Sequence, residues 1–92
     1  MSFYVYILRC ADGSYYVGHT DDIDKRFWEH LEGFVTSYTR KRRPLELAYT
    51  EQFPAREEAK ARERQLKGWS RAKKEALMKG NLTRLQALAR KL

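Results

Sequence analysis

The sequence predicts an α+β domain: a three-stranded antiparallel sheet covered by helices, with additional C-terminal helices. Three observations predict it. Two runs rich in β-branched and aromatic residues, 3–10 and 15–19, flank a turn signal. A shorter run of the same kind spans 45–50. The other segments repeat apolar residues at helical spacing between capping and breaking residues. With no internal repeat and no linker, a single domain over 1–92 is expected, with a core of about 3–67 and a helical extension of about 70–92.

Phe3 to Cys10 (FYVYILRC) is apolar on both faces, so helices must cover at least one of them. Ala11-Asp12-Gly13-Ser14 is the turn signal, and Tyr15 to His19 (YYVGH) returns as the second strand of a hairpin. Two registers are open. A two-residue turn at Asp12-Gly13 pairs Ala11 with Ser14 and sends Tyr6 and Tyr16 to opposite faces. A three-residue loop with Gly13 left-handed pairs Cys10 with Ser14 and puts both tyrosines on one face. Thr20 or Asp21 can cap the next helix, with Asp22 and Asp24 in its favourable first turn. Ile23, Phe27, His30 and Leu31 mark its stripe, and Gly33 ends it.

Phe34 to Pro44 reads as a basic, aromatic loop. Leu45 to Thr50 (LELAYT) reads as a strand with Leu45, Leu47 and Tyr49 on one face. Pro54 suits a helix start, and that helix runs to Lys67 with Gly68 as its stop. Ser70 can cap a third helix, broken at Gly80. Asn81 can cap a last one, with Leu82, Leu85, Leu88 and Leu92 as an apolar stripe.

Composition narrows the function. No apolar run is long enough to span a bilayer, and no basic region precedes the N-terminal apolar stretch, so a cytoplasmic protein with no membrane role is expected. Cys10 is the only cysteine, which excludes an internal disulfide and a cysteine-based zinc site. The net charge is +7 and unevenly spread. Residues 1–55 hold seven Lys/Arg and eight Asp/Glu, whereas 56–92 hold twelve and four. A one-sided basic surface attracts polyanions. Nucleic acid is the favoured partner and no membrane is expected, although charge alone would also suit an anionic membrane or an acidic protein surface.

Four features carry candidate chemistry. Tyr4, Tyr6, Tyr15 and Tyr16 crowd the hairpin, which strand preference alone also explains. Arg26 and His30 stand four apart on one helix face. Arginine offers a fork of donors for phosphate and histidine titrates near neutrality; the plainer reading is an exposed arginine and a histidine at the core edge. Glu63 sits on the Ala55, Ala59, Leu66 stripe, where a carboxylate is out of place. It is either a metal ligand or a salt-bridge partner of Arg9 or Arg26. Tyr38 and Thr39 precede Arg40, Lys41, Arg42 and Arg43, a set suited to phosphate contact beside a stacked base, or to plain solvation. His19 either points into the site or caps its strand, and Cys10 reads as a small core residue.

Together these residues resemble the GIY-YIG nuclease superfamily. The resemblance rests on Tyr4-Val5-Tyr6, Tyr16-Val17-Gly18, Arg26 and His30, and Glu63. It extends through Thr20, Tyr38-Thr39-Arg40, Arg42 to Leu47 and Phe53-Pro54, roughly residues 3 to 67. Small stand-alone bacterial members and the nuclease subunit of structure-specific eukaryotic endonucleases look most similar. Tyr4 departs from the first motif glycine, and Val5 and Val17 from isoleucines.

The resemblance implies an endonuclease that hydrolyses phosphodiester bonds by structure rather than sequence, with DNA ahead of RNA and DNA repair as a setting. It implies Mg²⁺ or Mn²⁺ held by Glu63, with Tyr6, Tyr16, Arg26, His30 and Glu63 as catalytic residues. Tyr6 would orient or deprotonate water, and His30 would take its proton or act as base itself. Tyr16 would bind phosphate or complete the water network, and Gly18 would keep the strand slim for substrate. Arg40, Lys41, Arg42, Arg43 and Tyr38 would bind nucleic acid. The rival readings are a non-catalytic nucleic-acid-binding module and an accessory subunit that binds a protein partner through the Leu82–Leu92 stripe.

Overall fold

The computed structural model describes residues 1–80. The expected last helix, with Leu82, Leu85, Leu88 and Leu92, lies outside the described residues. The elements are β1 (Phe3–Cys10), β2 (Tyr15–Thr20), α1 (Ile23–Leu31), α2 (Ser37–Arg40), β3 (Leu45–Phe53), α3 (Arg56–Lys67) and α4 (Arg71–Met78). The strands form one antiparallel sheet in the order β2-β1-β3. The α+β architecture is the expected one.

β1 is the central strand, and the alternation of its side chains builds two cores. Val5 and Ile7 face α3, where they meet Val17, Ala59 and Leu66, with Trp69, Leu77 and Met78 packed alongside. Tyr6, Leu8 and Cys10 face the other way, against Leu45, Leu47, Tyr16, Ile23, Phe27 and Tyr38. Helices therefore cover both faces of β1. Ile7, Leu8 and Leu66 are fully buried, and each such side chain stabilises the fold by about 1.5–3 kcal/mol.

The hairpin takes the three-residue loop. Cys10 N–H donates to Ser14 O and Gly13 N–H to Cys10 O, each at 2.9 Å. Gly13 has φ 83°, a left-handed value that glycine adopts without penalty. Tyr6 pairs with Gly18 and Leu8 with Tyr16, so Tyr6 and Tyr16 share a face.

Five local expectations need correction. Asp22, rather than Thr20 or Asp21, caps α1: its carboxylate accepts from Lys25 N–H at 3.1 Å. The Thr20 hydroxyl instead bonds the Asp22 backbone. On α1, Leu31 is 38% exposed while His30 is fully buried, because both imidazole nitrogens find partners and its burial orphans no polar atom. The 34–44 loop contains α2, whose first turn is capped by the Thr36 hydroxyl accepting from Tyr38 N–H. In β3 the register shifts between Ile7 and Leu8, which pair with Tyr49 and Leu47. Ala48 is thus the bulged residue, and Tyr49 swings to the α3 face while Leu45 and Leu47 stay on the α1 face. Finally, α3 starts at Arg56 with Ala55 at its cap, so Pro54 lies outside the first turn.

Candidate active site

The hairpin register and α1 bring the first cluster together. The Tyr6 oxygen lies 2.8 Å from His30 Nε2, and the two rings meet edge-on at 5.6 Å. Tyr16 closes the cluster with ring centroids 5.1 Å from His30 and 6.4 Å from Tyr6. Arg26, one turn before His30, faces the Tyr6 oxygen and also donates Nε to Glu29 at 3.2 Å. Burial raises the Tyr6 phenol well above its ordinary value, and the neighbouring Tyr16 adds to the rise; Arg26 works against both. Burial, then the Arg26 charge, pushes His30 down to about 4. At neutral pH the pair is therefore a protonated phenol against a neutral imidazole.

Gly18 makes this pair possible. An added Cβ there would stand 2.5 Å from the Tyr6 oxygen and 2.6 Å from its Cζ. The glycine thus clears room for the phenol.

Glu63 comes from the opposite side of the sheet. Val17 and His19 project toward α3, and His19 Nδ1 lies 2.8 Å from Glu63 Oε1. Lys67 Nζ is 3.1 Å from the other carboxylate oxygen. The expected structural partners, Arg9 and Arg26, are thus replaced by His19 and Lys67. Burial works to raise the Glu63 pKa, but these two neighbours outweigh it and hold the carboxyl below its ordinary value. Glu63 lies close enough to Tyr6 for its charge to add to the rise of the phenol. His19 points to the carboxylate rather than capping its strand.

Among the described residues no group of three or more His, Cys, Asp or Glu forms a metal cage. A single ionised, half-exposed carboxylate fits a different donor set. Mg²⁺ takes one or two carboxylates and completes its shell with water and phosphate oxygens, which this site can accommodate. A pocket of about 400 Å³ lined by Tyr4, Ile23, Leu47 and Thr50 opens nearby on the α1 face, but Asp21, Asp22 and Asp24 rim it and repel phosphate.

The basic segment is more committed to structure than its composition suggested. Arg42 stacks on the Tyr38 ring at 3.8 Å, donates Nε to Asp12 at 2.9 Å and Nη1 to Tyr38 O. Arg43 donates to the carbonyls of Arg40 and Leu31, the ends of α2 and α1. Arg40 packs its methylenes on Gly33, and Lys41 is exposed. Thr39, grouped by sequence with the phosphate-facing loop, is fully buried. Its hydroxyl sits 3.0 Å from His30 Nδ1. Sequence reasoning missed that contact; the only signal was a second threonine three residues after a capping one.

Comparison with known proteins extends these observations. The model of the GIY-YIG catalytic domain matches residues 2–76. A UPF0213 protein of Bacillus pumilus is 49% identical over 72 residues, covering 78% of this chain and 74% of the relative. A UPF0213 protein of Halobacterium salinarum is 47% identical over 74 residues, covering 80% and 96%. The solution NMR structure of a UPF0213 protein from Bacillus halodurans superposes with a TM-score of 0.57 at 47% identity, covering 88% of this chain and 86% of that one. That of a protein from E. faecalis gives 0.61 at 41%, covering 87% and 85%.

Proposed function

Because the chain belongs to the GIY-YIG family, a nuclease-type family, we propose that it is a divalent-metal-dependent endonuclease acting on nucleic acid, with DNA ahead of RNA. The observation that carries the reading is the buried Tyr6 phenol 2.8 Å from a neutral His30 with Arg26 beside it. A proton donor and a proton acceptor joined out of solvent beside a guanidinium suit proton transfer, and this supports the nuclease reading over a simple binding surface.

Glu63 would hold Mg²⁺ or Mn²⁺, which would supply a Lewis acid for the scissile phosphate. Arg26 offers its guanidinium to a non-bridging phosphate oxygen as charge builds there. Tyr6 orients the attacking water, and its proton has a place to go in the unprotonated nitrogen of His30. Tyr16 packs against both rings and keeps them in register. Lys41 and the guanidinium charges of Arg40, Arg42 and Arg43 supply sequence-independent attraction to the backbone, with the Tyr38–Arg42 stack as a flat surface beside it. With backbone contacts supplying the attraction and one small domain to make them, recognition by shape is expected. Repair-type branched or flapped DNA is the first substrate class to test.

The test uses labelled single-stranded, flapped, branched and duplex substrates with Mg²⁺, Mn²⁺ or chelator, and the variant Glu63→Gln. Glutamine keeps an acceptor for His19 but loses the charge. Cleavage should fall by roughly 10²–10³-fold, the scale of removing one transition-state stabiliser. Binding in chelator should persist. Stability should change by no more than about 1 kcal/mol, since the pairs lost are half-exposed. Full metal-dependent cleavage by the variant would exclude Glu63 as ligand. Binding without cleavage of any substrate by the wild type would favour the binding-module reading.

A further inference from the structure

Resting on the reading of Tyr6 and His30 as a catalytic pair, we propose that Thr39 is a positioning residue that fixes which nitrogen of His30 accepts the Tyr6 proton. Four groups form a chain through the interior: the Tyr6 oxygen, the two nitrogens of His30, the Thr39 hydroxyl and the Thr36 carbonyl. Their spacings are 2.8, 3.0 and 3.3 Å. Tyr6 is 2% exposed, and His30 and Thr39 are fully buried. Water is therefore not on hand at His30 or Thr39, and their donors must match acceptors within the chain.

Both ends of the chain set its direction. At one end, the Thr36 carbonyl can only accept. It accepts from Arg40 N–H and lies 3.3 Å from the Thr39 hydroxyl; with the hydroxyl proton on that carbonyl, the Thr39 oxygen meets His30 as an acceptor and Nδ1 carries the ring proton. At the other end, the hydrogen-bond partner of the buried Tyr6 oxygen among the described residues is His30 Nε2, and the phenol proton needs an acceptor. The phenol proton must then point to His30, so Nε2 must be bare. Both ends favour the same tautomer, and moving the ring proton would break the match at each of them. A neutral imidazole has one proton, and burial keeps it neutral.

The local fold serves this arrangement. Gly33, left-handed at φ 82°, ends α1 three residues past His30. Thr36 then caps α2 with its side chain. Its carbonyl, one helical turn before Thr39, orients the Thr39 hydroxyl. The short helix thus places one oxygen against Nδ1 and turns its lone pair toward the ring. With the opposite tautomer, Nε2–H would point at the phenol oxygen and Tyr6 would have no acceptor for its proton.

Nitrogen-15 NMR of the histidine-labelled protein tests this without substrate or metal, because protonated and bare ring nitrogens resonate far apart. In the wild type, Nδ1 should be protonated and Nε2 bare at neutral pH. Thr39→Val keeps the shape but removes the acceptor and leaves a buried Nδ1–H unpaired, so an Nε2–H population should appear beside Nδ1–H. Thr39→Ser should restore the wild-type pattern. On a cleaved substrate, kcat of Thr39→Val should fall roughly tenfold to a hundredfold with KM little changed, and Thr39→Ser should recover it. Wild-type His30 protonated on Nε2 overturns the proposal, even if Thr39→Val does not fold. An unchanged tautomer in folded Thr39→Val overturns it too. The predicted tautomers in a protein that cleaves nothing would instead remove the nuclease reading and leave the assignment of Thr39 standing.

Discussion

His30 is the residue whose burial has the most measurable consequence. Its folded pKa is depressed to about 4, against 6.5 for an ordinary histidine. The sign follows directly. Between these values the unfolded chain binds a proton that the folded protein refuses, so acid favours unfolding. The contribution of His30 is therefore intact above about pH 6.5, declines as pH falls, and levels off below about 4. The full loss is up to about 3 kcal/mol for one fully buried group. Urea unfolding from pH 7.5 to 4 should show this decline, and His30→Gln should flatten it. A pH-independent wild type would mean that the imidazole is not held neutral. In the sequence, Arg26 and His30 are legible as a pair because helical spacing is a local property. The depth of His30 is not, since it depends on partners nine and twenty-four residues away.

Among the elements, the helix ends separate two glycines that look alike in the sequence. Gly33 closes α1 at φ 82°, and its added Cβ would meet the Arg40 side chain at 2.9 Å. Gly68 closes α3 at φ −84°, with nothing nearer than Gln65 O at 3.5 Å. Gly33→Ala should therefore cost about 1–2 kcal/mol, the penalty of a left-handed alanine. Gly68→Ala should be neutral or stabilise by up to about 1 kcal/mol, by restricting the unfolded chain. The denaturation midpoint of Gly33→Ala should fall while that of Gly68→Ala holds or rises; a common fall would contradict the backbone assignment. Both stops were legible from residue type, but their handedness was not. The bulge at Ala48 was equally hidden, because LELAYT alternates well enough to pass for a flat strand. Only pairing with β1 reveals that Tyr49 belongs to the other core.

Across the whole molecule, the fold divides the candidate chemistry between two faces of one thin sheet. Tyr6, Tyr16 and His30 lie under α1, while His19 and Glu63 lie under α3. The sequence made each residue legible, but not this division, because strand alternation and helix packing act together only in three dimensions. The basic excess is also a whole-molecule property. With about four backbone phosphates engaged, affinity for nucleic acid should fall roughly 10²-fold between about 50 and 200 mM salt. Titration across that range checks it, and a flat profile would rule out a backbone-led interface. Cys10 is the chain's single thiol, buried to 4% exposure in the same cluster as Tyr6. An alkylating reagent can reach it only when that side of the sheet breathes open. The rate at which the thiol is trapped thus reports how often the core that also holds the phenol opens.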